Sequence, residues 1–200
     1  MPATARARLG LTIDMHAREL EHDWRLALAA RMALGPGDLV VRVGEGFGAF
    51  NDEIELCVGL AGTVAVVDPR DALDDCLEHD VRPVLVTVAA GGHESDALAR
   101  ARRTLLRWRP VVFTVADPEA TLNAGSTLYE QQRILRSAGY VVRAVWRFGL
   151  RRPDTSIYAD ACHWIAAPCE HNEMLTRISS RILWSQLLPW QAVSSQSRAA

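Results

Sequence analysis

The chain has 200 residues and a mass of 22.0 kDa, a size that suits one α/β domain. With 49% hydrophobic and 23% charged residues, it is neither wholly disordered nor collagen-like. The net charge of −2 gives no overall attraction to nucleic acid or to an anionic membrane. All 22 basic residues are arginine, which excludes a lysine Schiff base, a lysine general base and a P-loop lysine.

Cysteine content and the N-terminus indicate the compartment. The four cysteines, at positions 57, 76, 162 and 169, do not form a pattern typical of a disulfide framework. The N-terminal stretch MPATARARLG lacks the apolar core of a signal peptide. The apolar runs fall far short of the ~20 residues that cross a bilayer. We therefore expect a soluble cytoplasmic protein with no membrane partner.

Helical patterns and short apolar runs alternate along the chain. Apolar residues at a spacing of four predict a helix over 14–34, which a Gly-Pro-Gly turn ends. Further helices are predicted over 49–60, 72–78, 94–108, 128–138 and 172–188. Strands are predicted over 39–43, 63–67, 83–89, 110–115, 140–146 and 163–167. The polar residues 149–160 are predicted to form a surface loop.

The alternation of strands and helices determines the expected fold. Strands that are apolar on both faces and separated by helices are typical of a doubly wound, mostly parallel sheet. We expect α/β architecture with helices on both faces of the sheet. No linker divides the chain, so residues 1–190 are predicted to form a single domain, followed by a disordered tail over 191–200.

A glycine-rich turn follows the first predicted strand, in the stretch LVVRVGEGFGAF. Gly44, Gly46 and Gly48 let the backbone approach a ligand, and the next helix offers free N–H groups. Asp68, at the end of the next strand, is placed to accept hydrogen bonds from ribose hydroxyls. The glycine spacing is that used for S-adenosylmethionine, although Ala49 also permits a nicotinamide cofactor. A tight turn without a ligand is a third interpretation.

The order of several segments resembles that of FkbM-type S-adenosylmethionine-dependent methyltransferases, over about residues 14–168. The resemblance is carried by GDLVVRVGEGFGAF, VAVVDPRDALDDCLEH, VTVAAGGHESDALARARRTLLRWRPVVFTVADPE and LRSAGYVVRAVWR. It implies a Rossmann-like class I methyltransferase fold that commonly methylates hydroxyl oxygens of sugars or natural products. By this resemblance Gly44, Glu45, Gly46 and Gly48 form the cofactor loop, and Asp68 binds the ribose.

The chain departs from the family pattern at several positions. Arg42 stands where the family normally has an acid, and Thr87, Ala89 and Gly91 replace its usual lysine, aspartate and glutamate. The connection from Asp68 to the next strand is also much shorter than usual. We therefore expect the sheet to lack one strand–helix unit on this side. The losses also motivate an alternative function, a catalytically inactive homologue that acts as a binding or scaffold partner.

Arg42 lies in an apolar strand, between Val41 and Val43. Burial of an unpaired charge is costly, so the guanidinium needs a partner. Two partners are open at this point: Glu45 or another acid near the turn, and the carboxylate of a bound ligand.

His93 and Glu94 begin a predicted helix immediately after a strand, at the edge of the sheet where ligands bind. There His93 could act as general base toward a substrate hydroxyl, with Glu94 beside it. The alternative is that Glu94 complements the helix dipole and His93 is solvated. A nicotinamide-dependent enzyme is disfavoured, because a catalytic tyrosine–lysine pair cannot form without lysine.

A cluster of cysteine and histidine residues is interpreted as structural. Cys162 and His163, with the nearby Cys169 and His171, suggest a metal site, but adjacent strand residues point to opposite faces, so no metal is expected.

The arginines at 100, 103 and 107 share one face of a predicted helix, which we interpret as a solvated face rather than a nucleic-acid site. The C-terminal helix carries enough apolar residues to pack on the sheet, and a homodimer seam stays open. The expected partner is a small-molecule substrate.

Overall fold

The computed structural model describes residues 24–45, 47–48, 50–77 and 80–187. In these ranges the strands are β1 Leu39–Gly44, β2 Thr63–Val67, β3 Leu85–Ala89, β4 Val111–Ala116, β5 Tyr140–Trp146, β6 Gly149–Arg151 and β7 Cys162–Pro168. The helices are α1 Trp24–Ala33, α2 Phe50–Val58, α3 Leu73–Cys76, α4 Glu94–Arg100, α5 Arg102–Arg107, α6 Pro118–Asn123, α7 Leu128–Ser137 and α8 Asn172–Leu187, with a 3₁₀ turn at Cys169–His171.

The seven strands form one sheet in the order β2-β1-β3-β4-β7-β5-β6. Strand β1 pairs in parallel with β2 and β3, and β3 pairs in parallel with β4. Strand β7 is antiparallel to both β4 and β5, and β6 is antiparallel to β5. The expected Rossmann-like α/β fold, with a mostly parallel sheet, is confirmed.

The sheet separates two apolar cores, which explains why its central strands are apolar on both faces. On one face the strands pack against α3, α4, α5 and α7. On the other face they pack against α1, α2 and α8. Val112 and Phe113, consecutive residues of β4, point to opposite faces and are both fully buried. Leu175, Ile178 and Ile182 of α8 are buried, so this helix packs on the sheet as expected.

The connection between β2 and β3 contains only the four-residue helix α3 in its described part. The Asp74 carboxylate of α3 accepts hydrogen bonds from the backbone N–H groups of Arg103 (2.6 Å) and Thr104 (2.7 Å). This contact fixes the short connection against α5. Among the described residues, β2 is an edge strand of the sheet, as the expected loss of a strand–helix unit on this side predicts.

The expected strand count is wrong, because the described residues form a sheet of seven strands rather than six. The additional strand, β6, lies in the segment that we predicted to be a loop. It is only three residues long and forms because the turn after Trp146 lets Gly149 pair with that residue. It lies at the opposite edge from β2, so it does not replace the missing unit.

Two helix predictions also need correction. The helix predicted over 94–108 is broken at Ala101, because Asp74 takes the N–H groups of Arg103 and Thr104 that a continuous helix would bond internally. Helix α6 was not predicted, although Asp117 caps its first turn. The first ten residues of the helix predicted over 14–34, and the tail predicted over 191–200, lie outside the described residues. Within the described ranges, the helices are too short or too polar to cross a membrane.

Candidate functional site

A cleft of about 1350 Å³ lies at the carboxyl ends of β1, β2, β3 and β4. The carboxyl ends of parallel strands meet at one edge of a sheet, where α/β proteins bind their ligands. The cleft brings together five of the residues predicted from the sequence, namely Gly44, Glu45, Asp68, His93 and Glu94.

The remaining two predicted residues are Gly46 and Gly48. Gly46 lies outside the described residues. Gly48 is exposed near the start of α2, where its carbonyl accepts a hydrogen bond from the N–H of Asn51 (3.0 Å), and it is not part of the cleft lining.

Gly44 ends β1 at a point where three chain segments converge. Its φ of +88° lies in the region that favours glycine. A Cβ at this position would lie 2.0 Å from the carbonyl oxygen of Ala89 and 3.2 Å from Cγ of Pro69. No side chain fits there, so the backbone itself forms this wall of the cleft, between the ends of β3 and β2.

Asp68 follows β2 and is exposed at the cleft. One of its carboxylate oxygens accepts a hydrogen bond from the N–H of Arg70 (2.8 Å), and its carbonyl accepts one from the N–H of Asp71 (3.0 Å). These two bonds form a tight turn that fixes the direction of the carboxylate. An exposed acid held in this way can accept hydrogen bonds from a diol of a ligand.

Glu94 is a buried carboxylate, with 2% of its surface exposed. It accepts a hydrogen bond from the N–H of Ala90 (2.9 Å) and so closes the turn between β3 and α4. Burial raises the pKa of Glu94, the backbone hydrogen bonds around Ala90 and Gly92 oppose this shift, and the charge of Asp117 adds to it. Glu94 therefore does more than complement a helix dipole, because it determines the shape of the cleft wall.

His93 lies at the rim of the cleft, with 58% of its side chain exposed. Its Nδ1 is 3.6 Å from Oδ2 of Asp96. This contact leaves Nε2 as the nitrogen that faces away from the carboxylate. The side chain is therefore accessible, as a general base must be.

Among the described residues, Arg42 does not have the acidic partner that we considered. In the described ranges its Nε is buried and makes no hydrogen bond, and the neighbouring Glu45 does not pair with it. Arg42 lies between Val66 of β2 and Thr87 of β3, neither of which carries a charge. The hydroxyl of Thr87 is also buried without a hydrogen bond in this part of the chain.

Arg100, Asp117 and Ala120 are among the cleft residues that the sequence analysis did not assign to a ligand site. Arg100 is exposed, as its interpretation as part of a solvated face predicts, and it also lines the cleft, where its guanidinium donates to the carbonyl of Arg70. Asp117 accepts hydrogen bonds from the N–H groups of Glu119 and Ala120, both 3.0 Å. An Asp-Pro pair directly after an apolar strand is a signal for a helix start and could have identified Asp117.

The cysteine–histidine cluster adopts the predicted geometry. Cys162 packs on the face covered by α4 and α7, whereas His163 lies near the ring of Phe47 on the other face, 5.3 Å between ring centroids. Burial raises the pKa of the Cys162 thiol to about 11, so the thiol is protonated at neutral pH. The described residues contain no group of three or more histidine, cysteine or acidic side chains arranged to hold a metal ion.

Several solved structures are similar in fold to this chain. One is a precorrin-6y C5,15-methyltransferase from Geobacter metallireducens, with 14% identity, a TM-score of 0.46, and coverage of 72% of this chain and 87% of that chain. A SAM-dependent O-methyltransferase from Thermotoga maritima has 16% identity, a TM-score of 0.48, and coverage of 74% and 65%. A protein-(glutamine-N5) methyltransferase from Alicyclobacillus acidocaldarius has 20% identity, a TM-score of 0.43, and coverage of 76% and 93%.

At these identities and TM-scores, the likenesses do not assign a substrate to this chain. No protein-family model matches the chain, and no curated protein matches its sequence.

Proposed function

We propose that this chain is an S-adenosylmethionine-dependent methyltransferase of the FkbM type, which methylates a hydroxyl group of a small molecule. The observation that carries the proposal is the packing at Gly44, where a Cβ would lie 2.0 Å from the Ala89 carbonyl oxygen. This packing presents bare backbone to the cleft, next to the oriented carboxylate of Asp68. The exposed backbone at Gly44 and the carboxylate of Asp68 together suit a ligand that combines a ribose with an amino-acid end.

The cleft residues fit the groups of this cofactor. Asp68 would bind the two ribose hydroxyls, and the backbone at Gly44 and Glu45 would lie against the amino-acid end. The unpartnered Nε of Arg42 is a donor that a ligand can satisfy. When bound, the cofactor supplies a methyl group on a positively charged sulfur, which is already activated for transfer. The protein therefore contributes mainly position and exclusion of water.

The acceptor hydroxyl must lose its proton during the reaction, and His93 is placed to receive it. The 3.6 Å contact of Nδ1 with Asp96 leaves the other nitrogen, Nε2, as the atom that would accept the proton. Glu94 acts through the turn that it closes, because its carboxylate is buried and bonded to Ala90. Of the two residues predicted as catalytic, His93 is therefore the proposed base and Glu94 a positioning residue.

Calorimetric titration with S-adenosylhomocysteine and with NAD tests the proposal. We expect S-adenosylhomocysteine to bind and NAD to give no heat. Asp68→Ala removes a charge-assisted contact to the ribose and should weaken binding by about 1.5–3 kcal/mol, roughly 10- to 100-fold. Asp71→Ala is the matched control, because it removes an exposed carboxylate three residues away that does not line the cleft.

Two results would contradict the proposal. Equal affinity in the wild type and Asp68→Ala would show that Asp68 does not bind the ribose. No heat and no thermal shift with S-adenosylhomocysteine at millimolar concentration would remove the cofactor assignment itself.

A second candidate function, a homologue that binds ligand without transferring a methyl group, is favoured by Arg42. A cation two residues before the glycine turn opposes a positively charged sulfonium. The two candidates differ in one measurement, which is transfer of labelled methyl from S-adenosylmethionine to a panel of hydroxylated acceptors by protein that binds S-adenosylhomocysteine. Methyl transfer by the wild-type protein that is lost in His93→Ala would establish the enzyme.

A further inference from the structure

Arg42 is an unusual residue for its place in the fold. It lies on β1 two residues before Gly44, half-buried, with its Nε fully enclosed and without a hydrogen bond among the described residues. A buried donor without a partner destabilises a protein, and more so when it carries charge. The folded chain therefore bears a cost at this position that nothing in the described protein offsets.

The neighbours of Arg42 do not neutralise it. In the sheet it lies between Val66 on β2 and Thr87 on β3, and the Thr87 hydroxyl has no hydrogen bond either. Glu45 and Asp68 line the same cleft, but neither forms an ion pair with Arg42. The guanidinium thus reaches the cleft with its charge available to a ligand.

The other arginines of the cleft are in different situations. Arg100 donates to the carbonyl of Arg70, and both residues are exposed, so water screens their charges. Arg42 is less exposed than either residue. An anion bound at Arg42 would consequently gain more than one bound at Arg70 or Arg100, because the attraction is stronger away from water.

We propose that Arg42 is the anion receptor of the cleft and binds a carboxylate of the ligand through charge-assisted hydrogen bonds. This inference rests on the proposed function, in which the ligand's amino-acid end lies against Gly44. Residues two apart in a strand are separated by about 6.6 Å, a distance that an arginine side chain spans. The amino-acid end carries a carboxylate and an ammonium group, and only the carboxylate is complementary to a guanidinium.

Three adenosine compounds separate the contribution of the carboxylate from that of the nucleoside. S-adenosylhomocysteine carries the carboxylate, 5′-methylthioadenosine lacks the whole amino-acid end, and 5′-AMP carries a phosphate instead. Their affinities are measured by calorimetry in the wild type, in Arg42→Met, and in Arg133→Gln as a control. Arg133 is an exposed arginine of α7 that does not line the cleft.

In Arg42→Met we expect S-adenosylhomocysteine to bind about 10- to 100-fold more weakly, while methylthioadenosine binds as in the wild type. Thermal unfolding without ligand supplies an independent readout. Because Met removes an unpaired charge and keeps the side chain as far as the position of Nε, the variant should unfold at the same or a higher temperature than the wild type. A purely structural role for Arg42 predicts the opposite shift.

Other outcomes overturn the proposal. Equal changes for S-adenosylhomocysteine and methylthioadenosine, or no change for either, would show that Arg42 does not bind the carboxylate. A lower unfolding temperature without ligand would assign Arg42 to the scaffold. If only 5′-AMP binds and depends on Arg42, the bound anion is a phosphate and the proposed cofactor is wrong. If all three bind and only 5′-AMP depends on Arg42, the carboxylate assignment alone fails.

Discussion

Gly44→Ala should be strongly destabilising, because the structure leaves no space for a methyl group there. The φ of +88° costs an alanine about 1–2 kcal/mol. The new Cβ would also meet the Ala89 carbonyl oxygen at 2.0 Å and its carbon at 2.9 Å, both backbone atoms of the neighbouring strand that cannot rotate away. Forcing such a contact adds about 1–3 kcal/mol. We expect a total loss of about 2–5 kcal/mol in the free energy of unfolding.

Gly37→Ala separates the two contributions. Gly37 has almost the same φ, +90°, but a Cβ there would have no atom within 4 Å. This control should lose only the conformational part, about 1–2 kcal/mol. Urea denaturation of both variants, with unchanged m-values, gives the comparison. Equal losses in the two variants would refute the close contact between β1 and β3 on which the cleft depends.

Three further predictions concern charged groups. Burial raises the pKa of Glu94, so its neutral form stabilises the folded state below the ordinary pKa of 4.5, and this contribution is lost as the pH rises through the raised pKa. At pH 8 Glu94→Gln should therefore be at least as stable as the wild type, whereas Glu94→Ala, which leaves the Ala90 N–H unpaired, should lose about 1–3 kcal/mol in urea unfolding. The Arg109 guanidinium lowers the pKa of Glu170 from 4.5 to about 2. The ion pair therefore stabilises the folded state fully above about pH 4.5, and this stabilisation is lost as the pH falls toward 2. Glu170→Gln should be less stable than the wild type at pH 7 and equal to it near pH 2. Arg42→Asp should reduce the preference for S-adenosylhomocysteine over S-adenosylmethionine in competition binding, because the guanidinium repels the sulfonium.

Each of these predictions has a clear contrary result. A Glu94→Gln variant as unstable as Glu94→Ala would show that the negative charge itself holds the turn. A pH-independent difference between Glu170→Gln and the wild type would exclude the ion pair with Arg109 as its cause. An unchanged affinity ratio in Arg42→Asp would remove Arg42 as an argument for the inactive homologue.

The parts of the fold that depend on local pattern were predictable from the sequence. The strands around β1, β3 and β4 are apolar on both faces, and only a strand between two helical layers has that pattern. Gly44 was identified because a glycine directly after such a strand marks a close approach of backbone. Asp68 followed from its position at the end of the next strand.

The remaining features depend on contacts between distant residues. The break at Ala101 arises because Asp74, almost 30 residues earlier, binds the N–H groups that follow it. Strand β6 forms by pairing with β5, and its three residues are too few to show a strand pattern in the sequence. Whether Glu45 pairs with Arg42 depends on the distance between the two side chains in the folded chain. Such distances are not encoded in spacing along the chain.

The short β2–β3 connection also determines where ligand selectivity can arise. Because β2 is an edge strand, the side of the cleft formed by Val66 and Asp68 is open to solvent, and the Val66 side chain is 60% exposed. Hydrogen bonds made there compete with water and are screened by salt. On the other side, the backbone of Gly44 lies in close contact with β3 and Arg42 is half-buried. Polar contacts between a ligand and this side are therefore stronger than those at β2. Discrimination between ligands should therefore depend more on the group bound at β1 than on the nucleoside bound at β2.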